Sequence, residues 1–153
     1  MANTYTQLYI HFVFAVQNRI GVISPKWEED LYKYINGIVK QHGHKLYSIN
    51  GVTDHLHVLV SMSPKQSPSD LMYHIKRGSS LWINDNKLCR GKFSWQDGFG
   101  AFSIGKSQVN SKVKYIENQK EHHKKIPFRT EYLKFLKEYE IEFDERYIFK
   151  PID

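Results

Sequence analysis

Between residues 6 and 16 the chain alternates. Leu8, Ile10, Phe12, Phe14 and Val16 fall on one side, and Tyr9, His11, Val13 and Ala15 on the other. A period of two is that of a β-strand, and bulk on both sides predicts a central one. Ser24-Pro25 then opens a helix, with Ser24 as N-cap and Pro25 in its first turn. Leu31, Ile35, Ile38 and Val39 give that helix an apolar stripe, and Gly43 stops it. Residues 45–52 read as a second strand, and a turn at Thr53-Asp54 leads into a third over 54–60, which predicts a hairpin. Ser67-Pro68-Ser69-Asp70 starts a second helix, with Leu71, Ile75, Leu81 and Trp82 facing inward and Gly78 weakening it slightly. Residues 88–105, rich in glycine and aromatics, read as a loop entering a fourth strand at 101–104. Ser107 caps a helix running to about residue 124, and a last helix covers roughly 130–139.

Strand, helix, strand, strand, helix, strand is the order of the split βαβ. The expected fold is therefore α+β: a ferredoxin-like, RRM-like antiparallel sheet with two helices on one face, followed by C-terminal helices. The 153 residues fit one domain, with its core at about 6–105, a helix at about 107–124 and a C-terminal helix and tail at 130–153. No repeat or linker divides the chain. In this topology the third strand lies beside the first.

Composition narrows the class. No apolar run approaches the roughly 18 residues that cross a membrane. Met1-Ala2-Asn3-Thr4 lacks a basic segment followed by an apolar stretch, so no secretory signal is expected. Cys89 is the single cysteine and has no internal disulfide partner, which points to a reducing, cytoplasmic setting. Charge is uneven along the chain. Residues 106–129 carry seven basic side chains against Glu117 and Glu121, whereas the tail from Thr130 has seven acids against four bases. A basic segment suits a polyanion partner, although a solvated lysine-rich helix face reads the same way.

Candidate chemistry concentrates in Asp54-His55-Leu56-His57. Residues i and i+2 of a strand share a face, roughly 7 Å apart along the chain, so two imidazoles can converge on one metal ion. Leu56, Val58 and Val60 then cover the other face. A second pair, His42-Gly43-His44, falls at a helix end with no fixed face. Farther on, Tyr115 and Gln119 are four apart on one helix face, amid lysines, and His122 lies a turn beyond. A helix tyrosine is as readily an amphipathic anchor at a sheet edge.

Asp54-His55-Leu56-His57 resembles the HUH motif of enzymes that nick single-stranded DNA. Tyr115-Ile116-Glu117-Asn118-Gln119 resembles the catalytic helix of the single-tyrosine HUH transposases of bacterial insertion sequences. The run from Trp95 to Ser103 and the pair His122-His123 are similar to that family too, so the resemblance spans about residues 6–147. It implies that His55 and His57 hold a divalent metal, Mg²⁺ or Mn²⁺, with Gln119 as a third ligand. It implies that Tyr115 is the nucleophile, cleaving DNA and staying joined to the 5′ phosphate. Family members act as homodimers on single-stranded DNA with hairpins, often with the tyrosine helix supplied in trans. Gly105, just before that helix, is read as a hinge for such a movement. Lys76, Arg77, Lys112, Lys114 and His122 are the candidate DNA contacts, chosen on charge and position. Two other readings compete. One is a non-catalytic nucleic-acid-binding module on the same scaffold, although an aromatic RNP motif is missing from the first and third strands. The other is a metal-dependent hydrolase with Tyr115 structural, favoured if His42, His44, His122 or His123 are ligands.

Overall fold

The computed structural model describes residues 3–144, 146 and 148; the two N-terminal residues and the rest of the tail lie outside the described residues. Strands β1 (Tyr9–Ala15), β2 (Lys45–Val52), β3 (His55–Ser61) and β4 (Gly100–Ile104) form one antiparallel sheet in the order β2-β3-β1-β4. Helices α1 (Glu28–Gln41) and α2 (Pro68–Asp85) complete the split βαβ pattern. Three further helices follow: α3 (Val109–Glu117), α4 (Gln119–His122) and α5 (Phe128–Glu138). The sheet is the ferredoxin-like one the pattern predicts.

The alternation in β1 and β3 sorts their side chains onto two buried faces. Phe12, Phe14, Leu56, Val58 and Val60 pack with Leu31, Ile35 and Val39 of α1 and with Leu71, Met72 and Ile75 of α2. On the opposite face, Val13, Ala15 and Phe102 pack with Phe128, Phe135 and Leu136 of α5, while Tyr9, Leu59 and Ile104 pack with Val109 and Ile116 of α3. Both sides of the sheet are thus dry, which is why neither central strand reads as simply amphipathic. Among the described residues no helix is long and apolar enough to cross a membrane.

Several boundaries move from their expected places for local reasons. Ser24 caps a turn rather than α1: its Oγ accepts from the Lys26 amide, and α1 begins only after Trp27, whose φ of −132° is not helical. Trp27 is buried in the core there. In α2, Ser67 is the N-cap as expected, accepting from the Asp70 amide at 3.1 Å. Leu81, however, is exposed, and the inward stripe runs Leu71, Ile75, Ser79, Ile83. Ser79 holds a core position because its hydroxyl accepts from Trp95 Nε1 at 2.9 Å and donates to the Ile75 carbonyl.

The expected helix over 107–124 is two helices. Ser107 does not cap it; Gln108 Oε1 instead accepts from the Gly105 amide at 3.0 Å. Its chain breaks at Asn118, where Asn50 Nδ2 donates to the Glu117 carbonyl at 3.0 Å, an oxygen that an unbroken helix would direct to residue 121. Lys120 Nζ then donates to Asn50 Oδ1 and to the Gly51 carbonyl, fastening the break to β2. Gly105 has a φ of −85°, open to any residue, so its backbone does not require glycine.

Gly51, at the hairpin that carries His55, does require it. A Cβ there would lie 2.1 Å from the His55 carbonyl oxygen and 2.9 Å from Leu56 Cα. Both are backbone atoms that cannot swing aside. Gly51→Ala is expected to lower unfolding stability by about 3 kcal/mol or more, read from urea titration.

Candidate active site

The histidines of β3 point to the α3–α5 side of the sheet, and both are fully buried. His55 Nδ1 lies 2.7 Å from Asp54 Oδ1, so the Nδ1 proton donates to the carboxylate and Nε2 faces inward. His57 Nδ1 lies 2.8 Å from His11 Nε2, across the β1–β3 pair. His57 Nε2 lies 3.1 Å from Glu131 Oε1.

Glu131 is the hub. Its Oε1 is also 3.1 Å from His123 Nε2 and 3.9 Å from His55 Nε2. Its Oε2 accepts from the Tyr115 hydroxyl and, at 3.2 Å, from Gln119 Nε2. His122 Nε2 lies 3.2 Å from the same oxygen and 3.5 Å from the Tyr115 hydroxyl. Helix α5 delivers this carboxylate because Phe128, Glu131, Tyr132, Phe135 and Leu136 share its buried stripe.

Burial sets the electrostatics. It holds His57 well below the ordinary imidazole range, assisted by His11, His55, His123 and His122. It lowers His11 to about 3, with the Lys112 ammonium adding to the effect. His123 falls to about 4 by burial and by His55. Glu131 is pushed up to about 8 by burial, against the pull of Lys112. The close His–Glu131 approaches are therefore contacts among groups for which charge is costly, rather than strong ion pairs.

Such a site fits a divalent cation. His55, His57, His123 and Glu131 each offer a ligand atom, all within 4.8 Å of one another. Gln119, fully buried, leaves its Oε1 without a hydrogen-bond partner among the described residues. Imidazole nitrogens and carboxylate or amide oxygens are donors for first-row divalent metals.

Residues 4–119 match the family described as transposase, IS200 like. The chain belongs to this family. Among curated proteins, the ISDra2 transposase TnpA of Deinococcus radiodurans is 24% identical over 119 residues, covering 74% of this chain and 84% of that protein. Solved structures agree in fold. A chain described as a transposase from Deinococcus radiodurans superposes with a TM-score of 0.63 at 20% identity, over 78% of this chain and 95% of its own. A REP-associated tyrosine transposase bound to a REP hairpin superposes with a TM-score of 0.61 at 15% identity, over 80% of this chain and 73% of its own.

Against that background the residues singled out in the sequence divide into three groups. His55, His57, Tyr115, Gln119 and His122 converge on one buried cluster, with Tyr115 and Gln119 both reaching Glu131 from either side of the Asn118 break. Lys112 and Lys114 flank it: Lys112 Nζ sits 5.6 Å from the Tyr115 ring centre, and exposed Lys114 lines a surface hollow with Ser111, Tyr115 and Asn118. Lys76 and Arg77 lie on α2, across the sheet. Lys76 Nζ donates to the carbonyls of Gln96 and Gly98, holding the loop before β4, and Arg77 is exposed beside it.

His42 and His44 are elsewhere again. His44 accepts from the Ser63 amide and pairs with Gln66, and His42 stacks on His74 at 4.3 Å. Two residues of the cluster, His11 and Glu131, escaped the sequence reading, and His123 enters it only beside His122 in the resemblance and as a ligand of the hydrolase alternative. Glu131 did leave a signal, an acid on the i, i+3, i+4, i+7 apolar stripe of a helix.

Proposed function

We propose that this transposase cleaves and rejoins single-stranded DNA through a 5′-phosphotyrosine intermediate on Tyr115, with a divalent metal, Mg²⁺ or Mn²⁺, at His55 and His57. The observation that carries the reading is the meeting of the Tyr115 hydroxyl and the two histidines at one carboxylate, Glu131. Gln119, whose buried Oε1 lacks a partner among the described residues, is the proposed third ligand. When bound, such a metal polarises the scissile phosphate and stabilises the charge that develops on it.

The chain's own groups supply the rest. Tyr115 oxygen forms a bond to phosphorus as the bond to the 3′ oxygen breaks, with the phenol proton leaving and the 3′ oxygen taking up a proton. A phenol attacks poorly at neutral pH, since its ordinary pKa is near 10. Its hydrogen bond to Glu131 fixes its direction before DNA arrives. The ester conserves the energy of the cleaved diester, so a 3′ hydroxyl can reverse the step without ATP. Lys112 and Lys114 neutralise the backbone beside Tyr115 and His122 contacts the phosphate, while Lys76 and Arg77 form a separate basic contact for a hairpin stem.

The proposed partner is single-stranded DNA bearing hairpins, of the kind the REP-associated relative is bound to. The proposed working form is a cytoplasmic homodimer. Cis and trans supply of the tyrosine helix are both open to the family resemblance; within this one chain Tyr115 sits with His57, ring centres 5.9 Å apart, and Ile116 is buried with Leu59. A cis site is the arrangement proposed. Mixing Tyr115→Phe with His57→Ala protein is expected to restore no cleavage, whereas trans assembly would rebuild one intact site per mixed dimer.

Labelled single-stranded hairpin DNA with Mg²⁺ or Mn²⁺ tests the function through a covalent protein–DNA adduct. Binding without any adduct across several element ends would favour the non-catalytic module. The sheet face that an RNA-recognition module leaves open is covered here by α3 and α5, which weighs against that alternative. His123 in the cluster gives the hydrolase reading its one support, and strand cleavage without an adduct would be its signature.

A further inference from the structure

The residues matched to the family end at 119, yet the cluster around the histidine pair continues past that point. Three observations concern His123 and Glu131. First, His123 Nδ1 donates to the Ile126 carbonyl at 2.8 Å, which leaves its Nε2 as the atom turned toward the cluster. His55 is in the same state, its Nδ1 proton held by Asp54. The two Nε2 atoms face each other at 3.1 Å. That separation suits two donor atoms on one cation as well as a shared proton.

Second, three of the separations are those of adjacent ligands around one ion, while His55 Nε2 to Glu131 Oε1 is 3.9 Å. Donor atoms about 2.1 Å from a first-row divalent metal lie about 3 to 3.5 Å from one another. His55 Nε2 to His123 Nε2, His57 Nε2 to Glu131 Oε1 and His123 Nε2 to Glu131 Oε1 are each 3.1 Å. Third, Glu131 divides its oxygens. Oε1 faces the three imidazoles, while Oε2 accepts from Tyr115 and Gln119.

We infer that His123 and Glu131 are metal ligands of this chain alongside His55 and His57, and that the second oxygen of Glu131 positions the Tyr115 hydroxyl. Metal and nucleophile are then coupled through one carboxylate, and both are anchored by the C-terminal segment, outside the matched residues. The inference rests on the proposed function for the role of Tyr115; the metal site itself does not. Gln119 keeps the ligand role proposed above, through its Oε1.

The test uses the full chain stripped of metal and titrated with Mn²⁺ without DNA, for wild type, His57→Ala, His123→Gln and Glu131→Gln. Thermal unfolding checks that each variant is folded. His123→Gln and Glu131→Gln are each expected to weaken Mn²⁺ binding by about 10-fold or more, as loss of a ligand should. Pulsed EPR of the Mn²⁺-loaded wild type, which needs no variant to fold, should resolve nitrogen couplings from three imidazoles. Two imidazoles in the wild type, or unchanged affinity in both variants, would overturn the inference.

Adduct formation then separates the two roles of Glu131. At saturating Mn²⁺, His123→Gln should recover the wild-type rate, whereas Glu131→Gln should stay about 10-fold slower because a neutral amide oxygen holds the Tyr115 hydroxyl more weakly than a carboxylate does. Equal rates for the two variants at saturation would overturn the positioning role. A wild type that binds Mn²⁺ through three imidazoles but forms no adduct would defeat the proposed function and leave the metal site standing. An adduct lost in Tyr115→Phe but with affinity unchanged in both ligand variants would do the reverse.

Discussion

Tyr115→Phe is expected to abolish the covalent adduct with hairpin DNA, a loss of at least about 10⁴-fold in its rate of formation. The substitution removes one oxygen and little else. Tyr115 is half-buried, with its ring edge-on to Phe135 at 5.9 Å, to His57 at 5.9 Å and to His122 at 5.2 Å. A phenylalanine keeps those contacts, so the fold should survive with a change of about 1 kcal/mol from the lost hydrogen bond. DNA binding should persist for the same reason, since Lys112 and Lys114 are untouched. The adduct, read as a labelled band on a denaturing gel, thus separates chemistry from folding and from binding. An adduct that persisted in Tyr115→Phe would move the nucleophile to another residue.

The second large effect is that of His57→Ala. His57 is fully buried, with one nitrogen on His11 and the other on Glu131. Truncation leaves a cavity and strands His11, whose Nδ1 already lacks a partner among the described residues. The expected cost is about 2 to 4 kcal/mol in unfolding free energy, visible as a lowered thermal midpoint. Metal affinity should fall by about 100-fold or more, and adduct formation with it. A variant that is folded at the assay temperature, binds hairpin DNA and yet forms adduct at the wild-type rate would remove the histidine pair from the mechanism.

Much of the sheet was legible because its signals are local. Period-two alternation in β1 and the bounds of β2 follow from side chains that must choose a face, and they agree with the structure within a few residues. Ser67 reads as an N-cap because an N-cap is made within four residues. Where the reading slipped, a distant partner had intervened. Asn50 takes the Glu117 carbonyl and breaks the long helix at Asn118. Trp95 reaches the Ser79 hydroxyl from outside α2, on the same buried stripe as Ile83, while Leu81 is exposed. No window of neighbouring residues contains either event.

The candidate site divides along the same line. His55-Leu56-His57 names itself through strand spacing, and Tyr115 with Gln119 through helix spacing. Those residue types and their spacings are properties of the chain alone, and so is the resemblance that joins them. That the two segments meet is decided by packing: Ile116 buried with Leu59, and Phe135 stacked on Phe102 at 5.3 Å. Glu131 belongs wholly to this second category, and His123, a candidate ligand in sequence, gains its place beside His55 only there. An acid on an apolar stripe is only an anomaly in sequence, and becomes the centre of a site once α5 closes over the histidine face of the sheet. Local chemistry chose the donors; the long-range contacts that exclude water from both faces of the sheet brought them to one point.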